Sequence, residues 1–417
     1  MAKLPIISQT LKIKVVQHQK SVNQTYKSPL NNSHLPTENG CLLETPLKRI
    51  AVVRALNGLG DILCTVPAFR ALRAAFPEAE IVLIGLPAIK PLIKRFNQYI
   101  NRVIEFPGYP GLPEQATDLA QIPTFIQMAQ NEQFDLAIQM HGNGIITNPL
   151  TVLLGARWNA GFFLPGQYCP DQKRFLPYID DESEVRRYVR LLEWLGVPSK
   201  GTDLEFPLYE EDEQALREIA ESGGFFKDAE SRPVFTDGVP PSGGELFKTG
   251  VPPSCPHLFK TEEIKQLAEF GYVCIHPGAS TESRCWRPEG FAAVADAIAQ
   301  IGYTIVLTGT ASEINLTTTV ASLMKSPSLN LAGRTSLGAA SALLRSSKLL
   351  ICNDTGVSHL AAALKVKSVV VFTQSEPVRW APLNQDRHRV ICAPDISPEA
   401  IITQAKDLLH QQSACVV

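Results

Sequence analysis

Three short stretches lie where an apolar run stops and a helical pattern begins, and each holds residues able to act on a ligand. They are "NGLGDIL" at 57–63, "HPGASTESRCW" at 276–286 and "NDTGVSHL" at 353–360. In the first, Gly58 and Gly60 invite a dinucleotide turn. The third fingerprint position is Leu63, however, and the next apolar run, "IVLIGLPA", ends without the acid that would hold a ribose. A carboxylate, Asp61, stands at the helix start instead. Helix amides and the helix dipole there favour the ionised form, and the charge repels a pyrophosphate, so Asp61 suits a proton acceptor better than a phosphate cradle. A plain helix N-cap is the local alternative.

The second stretch offers the hydroxyls of Ser280, Thr281 and Ser283 and the donor fork of Arg284, a combination suited to phosphate, without a Walker lysine. Trp286 reads as a packing anchor and His276 as structural. In the third stretch, Asn353, Asp354, Thr355 and Gly356 are ordinary turn residues, yet they open a helix whose N-terminus can bind an anion, with His359 one turn further on. Two phosphate-competent turns in one half, with a lone acid in the other, describe a cleft enzyme. A nucleotide diphosphate sits on one side and an acceptor on the other. No Asp-x-Asp triplet is present to hold a metal against a diphosphate, so no metal is expected.

The elements that must position these residues alternate. "RIAVVRAL" reads as a buried strand, "DILCTVPAFRALRAAF" as one helix and "EIVLIGL" as the next strand. The rhythm continues through "RVIEF", "DLAQIPTFIQMAQ", "FDLAIQM" and "RWNAGFF", and a helix near 183–195 stops at Gly196 and Pro198. After an extended segment, "SKGTDLEFPLYEEDE", a second series starts at "GYVCIHPG" and ends at "SVVVFT". The expected class is α/β, with two Rossmann-like lobes facing across a central cleft. The expected divisions are a basic tail (1–48), a first lobe (49–202) and a second lobe (203–417), whose C-terminal helix is a candidate to pack back on the first lobe. Within the second lobe, "GVPPSGGELFKT" at 238–249 is repeated almost unchanged as "GVPPSCPHLFKT" at 250–261, so residues 223–260 read as a flexible duplicated insertion.

Composition narrows the partners. The chain has 417 residues, with 19% charged and a formal net charge of -2, which gives no basic field for nucleic acid. Nine scattered cysteines without a Cys-x-x-Cys pair suggest a reducing cytoplasm. No apolar run approaches the roughly 18 residues of a membrane span. Every charged residue from Met1 to Pro36 is a lysine, so the tail is either solvated or in contact with an anionic membrane surface.

Taken in order, "GLGDILCTVPAFRALRAAFP", "HPGAST" with Arg284 and Trp286, "LTGTASE", "LAGRTSL" and "NDTGVSHLAAAL" resemble glycosyltransferase family 9, the group that includes the heptosyltransferases of lipopolysaccharide core assembly. The resemblance runs from about Arg49 to Pro382, the insertion excepted. It implies a GT-B fold, a nucleotide-sugar donor bound by the second lobe, a glycan or glycolipid acceptor on the first, and inversion at the anomeric carbon. The donor is a substrate, and no cofactor is implied. By similarity Asp61 is the catalytic base. Ser280, Thr281, Arg284, Glu313, Thr335, Asp354, Thr355, Gly356 and His359 contact the donor, with Arg284 where the family commonly has a phosphate-binding lysine and Glu313 on the ribose. Thr373 stands where the family often has glycine. ADP-heptose is the donor the family favours; the expected location is the cytoplasm, with peripheral contact at the inner membrane surface as the alternative the lysine-rich tail offers. A nucleotide-sugar epimerase or hydrolase of the same architecture, and a non-catalytic nucleotide-sugar-binding protein, are the rival readings.

Overall fold

The computed structural model describes Leu42, residues 46–221 and residues 271–411. These all belong to the unit Gly40–Val417. The lysine-rich tail, apart from its last residues, and the duplicated insertion lie outside the described residues.

Among the described residues, twelve strands form two six-stranded sheets, every pairing parallel. The first comprises β1 (Arg49–Val53), β2 (Glu80–Gly85), β3 (Arg102–Glu105), β4 (Leu136–Gln139), β5 (Trp158–Phe163) and β6 (Phe175–Pro177), in the spatial order β3-β2-β1-β4-β5-β6. The second comprises β7 (Tyr272–His276), β8 (Thr304–Leu307), β9 (Ser328–Asn330), β10 (Leu349–Asn353), β11 (Ser368–Phe372) and β12 (His388–Cys392), in the order β12-β11-β10-β7-β8-β9. Counted from its own first strand, each sheet has the doubly wound order 3-2-1-4-5-6. Each therefore has a crevice at the carboxyl ends of its first and fourth strands, where the winding reverses. The paired lobes and their parallel sheets agree with the expected α/β architecture.

Buried parallel strands read as unbroken apolar runs because helices cover both faces. In β1, Ile50 and Val52 face one core while Ala51 and Val53 face another; in β7, Val273 and Ile275 alternate in the same way with Tyr272 and Cys274. One of these cores is shared. It runs from Ile50 and Leu63 in the first lobe to Leu343, Leu350 and Leu360 in the second, so the lobes are joined by buried apolar contact.

Two sequence expectations are corrected. The segment 61–76 is not one helix but two, Leu59–Leu63 and Val66–Ala75, broken at Cys64 and Thr65. Pro67 cannot donate to Leu63, and the Thr65 N–H turns to Ile62 at 2.9 Å, leaving the Asp61 carbonyl without its helical partner. The C-terminal helix, Pro398–His410, lies on the helix Pro288–Ala299 and on β10, β11 and β12 of the second lobe, not on the first. The segment after Gly196 is extended as expected, but it is anchored: Leu204 and Phe206 are buried, Arg70 and Tyr99 hold Glu205 at 2.9 and 2.8 Å, and Arg95 forks onto Asp212 at 2.6 and 2.7 Å.

A polar side chain from the end of the fourth strand bridges each crevice. In the first lobe, His141 follows β4 and its Nδ1 accepts from the Ala55 N–H after β1 at 3.1 Å. In the second, Asn353 ends β10, donates from Nδ2 to the Pro277 carbonyl at 2.6 Å and accepts the Trp286 N–H at 2.9 Å. Asn353 has no exposed surface. Asn353→Ala should therefore orphan both a buried N–H and a carbonyl and lower stability by about 2–4 kcal/mol in urea denaturation.

Candidate active site

The site is built around Arg54, the residue that follows the apolar run of β1. Its guanidinium is fully buried. Nε and Nη2 donate to the Asp61 carbonyl at 3.0 and 2.7 Å, the acceptor released by the helix break, and Thr65 Oγ1 donates to the same oxygen at 2.8 Å. Nη1 donates to the Met140 carbonyl at 2.7 Å and to the Tyr188 hydroxyl. The carboxylates of Asp61 and Glu184 stand 3.6 and 3.8 Å from Nη2. Burial works against the charge of Arg54, but Tyr188, Asp61 and Glu184 outweigh it and hold the guanidinium protonated.

Asp61 does not cap its helix. Gly58 occupies the N-cap position and Asp61 the third helical position, with its carboxylate folded back over Gly58, where a Cβ would lie 2.2 Å from Oδ2. The expected helix-end stabilisation of its charge is also overturned. Burial pushes the carboxyl above its ordinary range, with Glu184 adding to the rise and Arg54, Arg379 and Arg284 opposing it. A carboxylate raised in this way is a stronger base than one in water.

Glu184, Arg187 and Tyr188 share one face of the helix Glu184–Trp194, all buried. Glu184 receives Arg187 Nη1 at 3.0 Å, the Tyr188 hydroxyl, and Arg379 Nε from the second lobe at 2.9 Å. Burial alone would raise its carboxyl; Arg54, Arg379 and Arg187 bring it below the usual range.

The second-lobe residues gather at the carboxyl ends of their strands. Asp354 is buried at the end of β10, and burial raises its carboxyl against the opposing influence of Ser375 and Arg284. Arg284 thus lies within electrostatic reach of both Asp354 and Asp61. Thr355 is the N-cap and Gly356 the first residue of the helix Gly356–Ala363, whose N-terminus abuts the first lobe: a Cβ on Gly356 would lie 3.0 Å from Leu59 Cβ and 3.2 Å from the Gly60 nitrogen. His359, buried, fills the space over Gly60, with Cδ2 2.7 Å from where a Cβ would be, and its Nδ1 is 3.5 Å from Cys64 Sγ.

Ser280 and Thr281 are exposed in the turn after β7. Glu313 caps the turn after β8, where its Oε2 accepts the Thr310 N–H at 2.6 Å, and its carboxylate leans over Gly278. Its other neighbour is His276, 3.8 Å away. Thr335 is half-buried after β9, in a loop tied to the β8 turn by Gly333 N to Gly309 O at 2.9 Å. The structure thus brings Asp61, Arg284, Asp354, Gly356 and His359 together and sets Glu313 and Thr335 one and two strands aside. Asn353, expected to belong to the ligand-holding turn, spends both side-chain ends on the neighbouring turn. Trp286 is a packing anchor, edge-on to Phe291 at 5.2 Å.

Comparison with known proteins follows this geometry. A model of glycosyltransferase family 9 (heptosyltransferase) matches residues 124–408, well over half of the chain. The chain belongs to glycosyltransferase family 9. It is 22% identical over 384 residues to lipopolysaccharide heptosyltransferase 2 of Escherichia coli K12, covering 85% of this chain and 97% of that one. It is 32% identical over 118 residues to lipopolysaccharide heptosyltransferase 3 of the same strain, where the match spans only 28% of this chain and 34% of the relative. Among solved structures, a family 9 glycosyl transferase from Veillonella parvula aligns with a TM-score of 0.65 at 21% identity over 88% of this chain and 99% of that one. The E. coli ADP-heptose lipopolysaccharide heptosyltransferase II aligns at 0.59 and 18% over 87% and 98%. These likenesses establish the GT-B fold.

Sequence reasoning missed Arg54, Glu184, Tyr188 and Arg379. A usable signal existed for two of them: Arg54 ends an otherwise apolar strand, and Glu184 sits at i, i+4, i+7 and i+8 with Tyr188, Leu191 and Leu192, on the stripe a helix buries.

Burial holds His359 down to about 4. The unfolded chain takes up this proton from about pH 6.5 downward, whereas the folded chain resists until about pH 4. The contribution to stability is intact above that interval and is lost as pH falls through it. His359→Gln should remove up to one proton, about 1.4 kcal/mol per pH unit, from the acid limb of stability against pH. Urea midpoints of both proteins between pH 4 and 7 check this. Comparing the difference cancels the opposite-signed contributions of Asp61 and Asp354.

Proposed function

We propose that the chain is an inverting, metal-independent glycosyltransferase that moves heptose from ADP-heptose to a lipopolysaccharide or related cell-surface glycan acceptor, working in the cytoplasm and peripherally at the inner face of the membrane. The observation that carries this reading is the pairing across the seam: Asp61, a carboxylate raised by burial, on the first lobe, opposite Arg284 and the N-terminus of the helix Gly356–Ala363 on the second. Family membership and the names of the relatives support the donor and acceptor classes. No helix among the described residues is long and apolar enough to cross a membrane, which fits peripheral contact.

In the proposed reaction, Asp61 accepts the proton of an acceptor hydroxyl as that oxygen attacks the anomeric carbon. The bond to the nucleotide diphosphate breaks on the opposite face, giving inversion. Arg284 and the amides that open the helix Gly356–Ala363 would take the negative charge arriving on the leaving group. Neutral His359 fills space beside that helix without adding a charge. Arg54 keeps the Asp61 turn in place from behind through its carbonyl.

Metal independence rests on the sequence reading: no Asp-x-Asp triplet is present to hold a cation on a diphosphate, and Arg284 can supply the positive charge instead. Transfer from ADP-heptose should persist in excess EDTA; loss of turnover that magnesium restores refutes this part. Asp61→Asn should lower transfer by about two to four orders of magnitude with donor affinity retained. Transfer rate and donor binding measured on the same preparation decide it. Wild-type turnover in the variant overturns the assignment of the base.

A further inference from the structure

The short helix Pro377–Trp380 joins the second lobe to the buried cluster of the first, and the reaction proposed above does not use it. Its Arg379 crosses the seam to Glu184, Nε to Oε2 at 2.9 Å, a hydrogen-bonded ion pair whose carboxylate is 2% exposed. The Arg379 guanidinium also lies 4.9 Å over the ring of its neighbour Trp380, and Trp380 meets His359 edge-on at 6.1 Å. His359 in turn presses on Gly60, one residue before Asp61. Glu184 therefore has two tasks: with Tyr188 and Arg187 it fixes the cluster that holds Arg54, and with Arg379 it docks the other lobe onto that cluster. Thr373, the residue that departs from the family's usual glycine, ties the start of the same segment to the Arg284 turn by donating from Oγ1 to the Ser283 carbonyl at 3.0 Å.

We propose that Arg379, clamped by Glu184, is a positioning residue that docks the second lobe so that Arg284 and the Gly356 helix end face Asp61. This deepens the transferase reading and rests on it. The charged and titratable groups around Asp61 are Arg54 behind it, Glu184 and Tyr188 from the helix Glu184–Trp194, Cys64 on its own turn, and Arg284, Arg379 and His359 from the second lobe. Within this set Arg379 supplies a hydrogen-bonded ion pair that joins the two lobes, while His359 joins them by close packing on Gly60 and Cys64. Glu184 is buried while Arg379 is partly exposed, so breaking the pair leaves a buried carboxylate with one charged donor fewer, a larger cost than breaking a pair exposed at both ends.

The test uses the full chain and Arg379→Gln, Arg379→Lys, Glu184→Gln and the double variant Arg379→Gln/Glu184→Gln. A substrate-free readout comes first. Amide hydrogen exchange in peptides covering 59–63 and 356–363 should quicken by about tenfold in Arg379→Gln, with the β8 peptide 304–307 unchanged. Transfer from ADP-heptose to a heptose-deficient lipopolysaccharide core should fall by about 10- to 100-fold in kcat, with the donor KM little altered. The double variant should be no slower than the slower single variant, and Arg379→Lys should recover part of the rate. Arg379 is partly exposed, so its variants should fold even where Glu184→Gln does not. Unchanged exchange at the seam in Arg379→Gln overturns the clamp. Quickened exchange with wild-type kcat, or losses in the singles that multiply in the double, overturns its positioning role. If Asp61→Asn transfers at the wild-type rate, the transferase mechanism falls while the exchange data still decide the clamp.

Discussion

One buried cation organises this molecule's working parts. Arg54 carries a full charge where no water reaches it, and such a charge persists only if the surrounding chain supplies oxygens on every side. It donates to the Asp61 and Met140 carbonyls and to the Tyr188 hydroxyl, and two carboxylates lie within 4 Å of it. Those partners come from the turn after β1, the end of β4 and the helix Glu184–Trp194. Satisfying a single guanidinium thus fixes the relative placement of three elements that local propensity alone would leave loose. The helix break at Cys64 and Thr65 belongs to the same requirement, since an unbroken helix would have consumed the Asp61 carbonyl internally.

The two lobes solve one geometric problem twice. At each point of reversed winding a polar side chain after the fourth strand reaches the turn after the first: His141 to Ala55, and Asn353 to Pro277 and Trp286. These ties hold the crevice walls rigid, which lets Asp61 and Arg284 be presented from turns without the turns themselves wandering. Catalytic groups on loops need such support, because small errors in placement remove much of the benefit of proximity.

The fold was legible where the physics is local. Runs such as "IAVV", "IVLIG" and "LLIC" are buried on both faces and carry their signal in composition alone. The strands the sequence did not reveal, β6 and β12, are both partly exposed edge strands, and neither alternation nor an unbroken apolar run marks them. Of the candidate site, Asp61, Arg284, Asp354 and His359 were legible because turn and helix-start residues stand out against apolar surroundings. Arg54, Glu184 and Arg379 were not read from it: the apolar run before Arg54 and the buried stripe carrying Glu184 left a trace, but Met140, Tyr188 and the Arg379–Glu184 pair, which give these charges their role, are brought together only by the fold. The direction in which the Asp61 carboxyl shifts was missed for the same reason: a helix end is visible in sequence, whereas burial in the folded chain is not.

The contact of Gly60 with Gly356 and His359 has a mechanical consequence. A Cβ on Gly60 would lie 2.7 Å from the His359 ring, and one on Gly356 would lie 3.2 Å from the Gly60 nitrogen, so neither position has room for a side chain. Because such close contacts lose their attraction over a short separation, the main chain just before Asp61 is held against the second lobe only while the fit is complete.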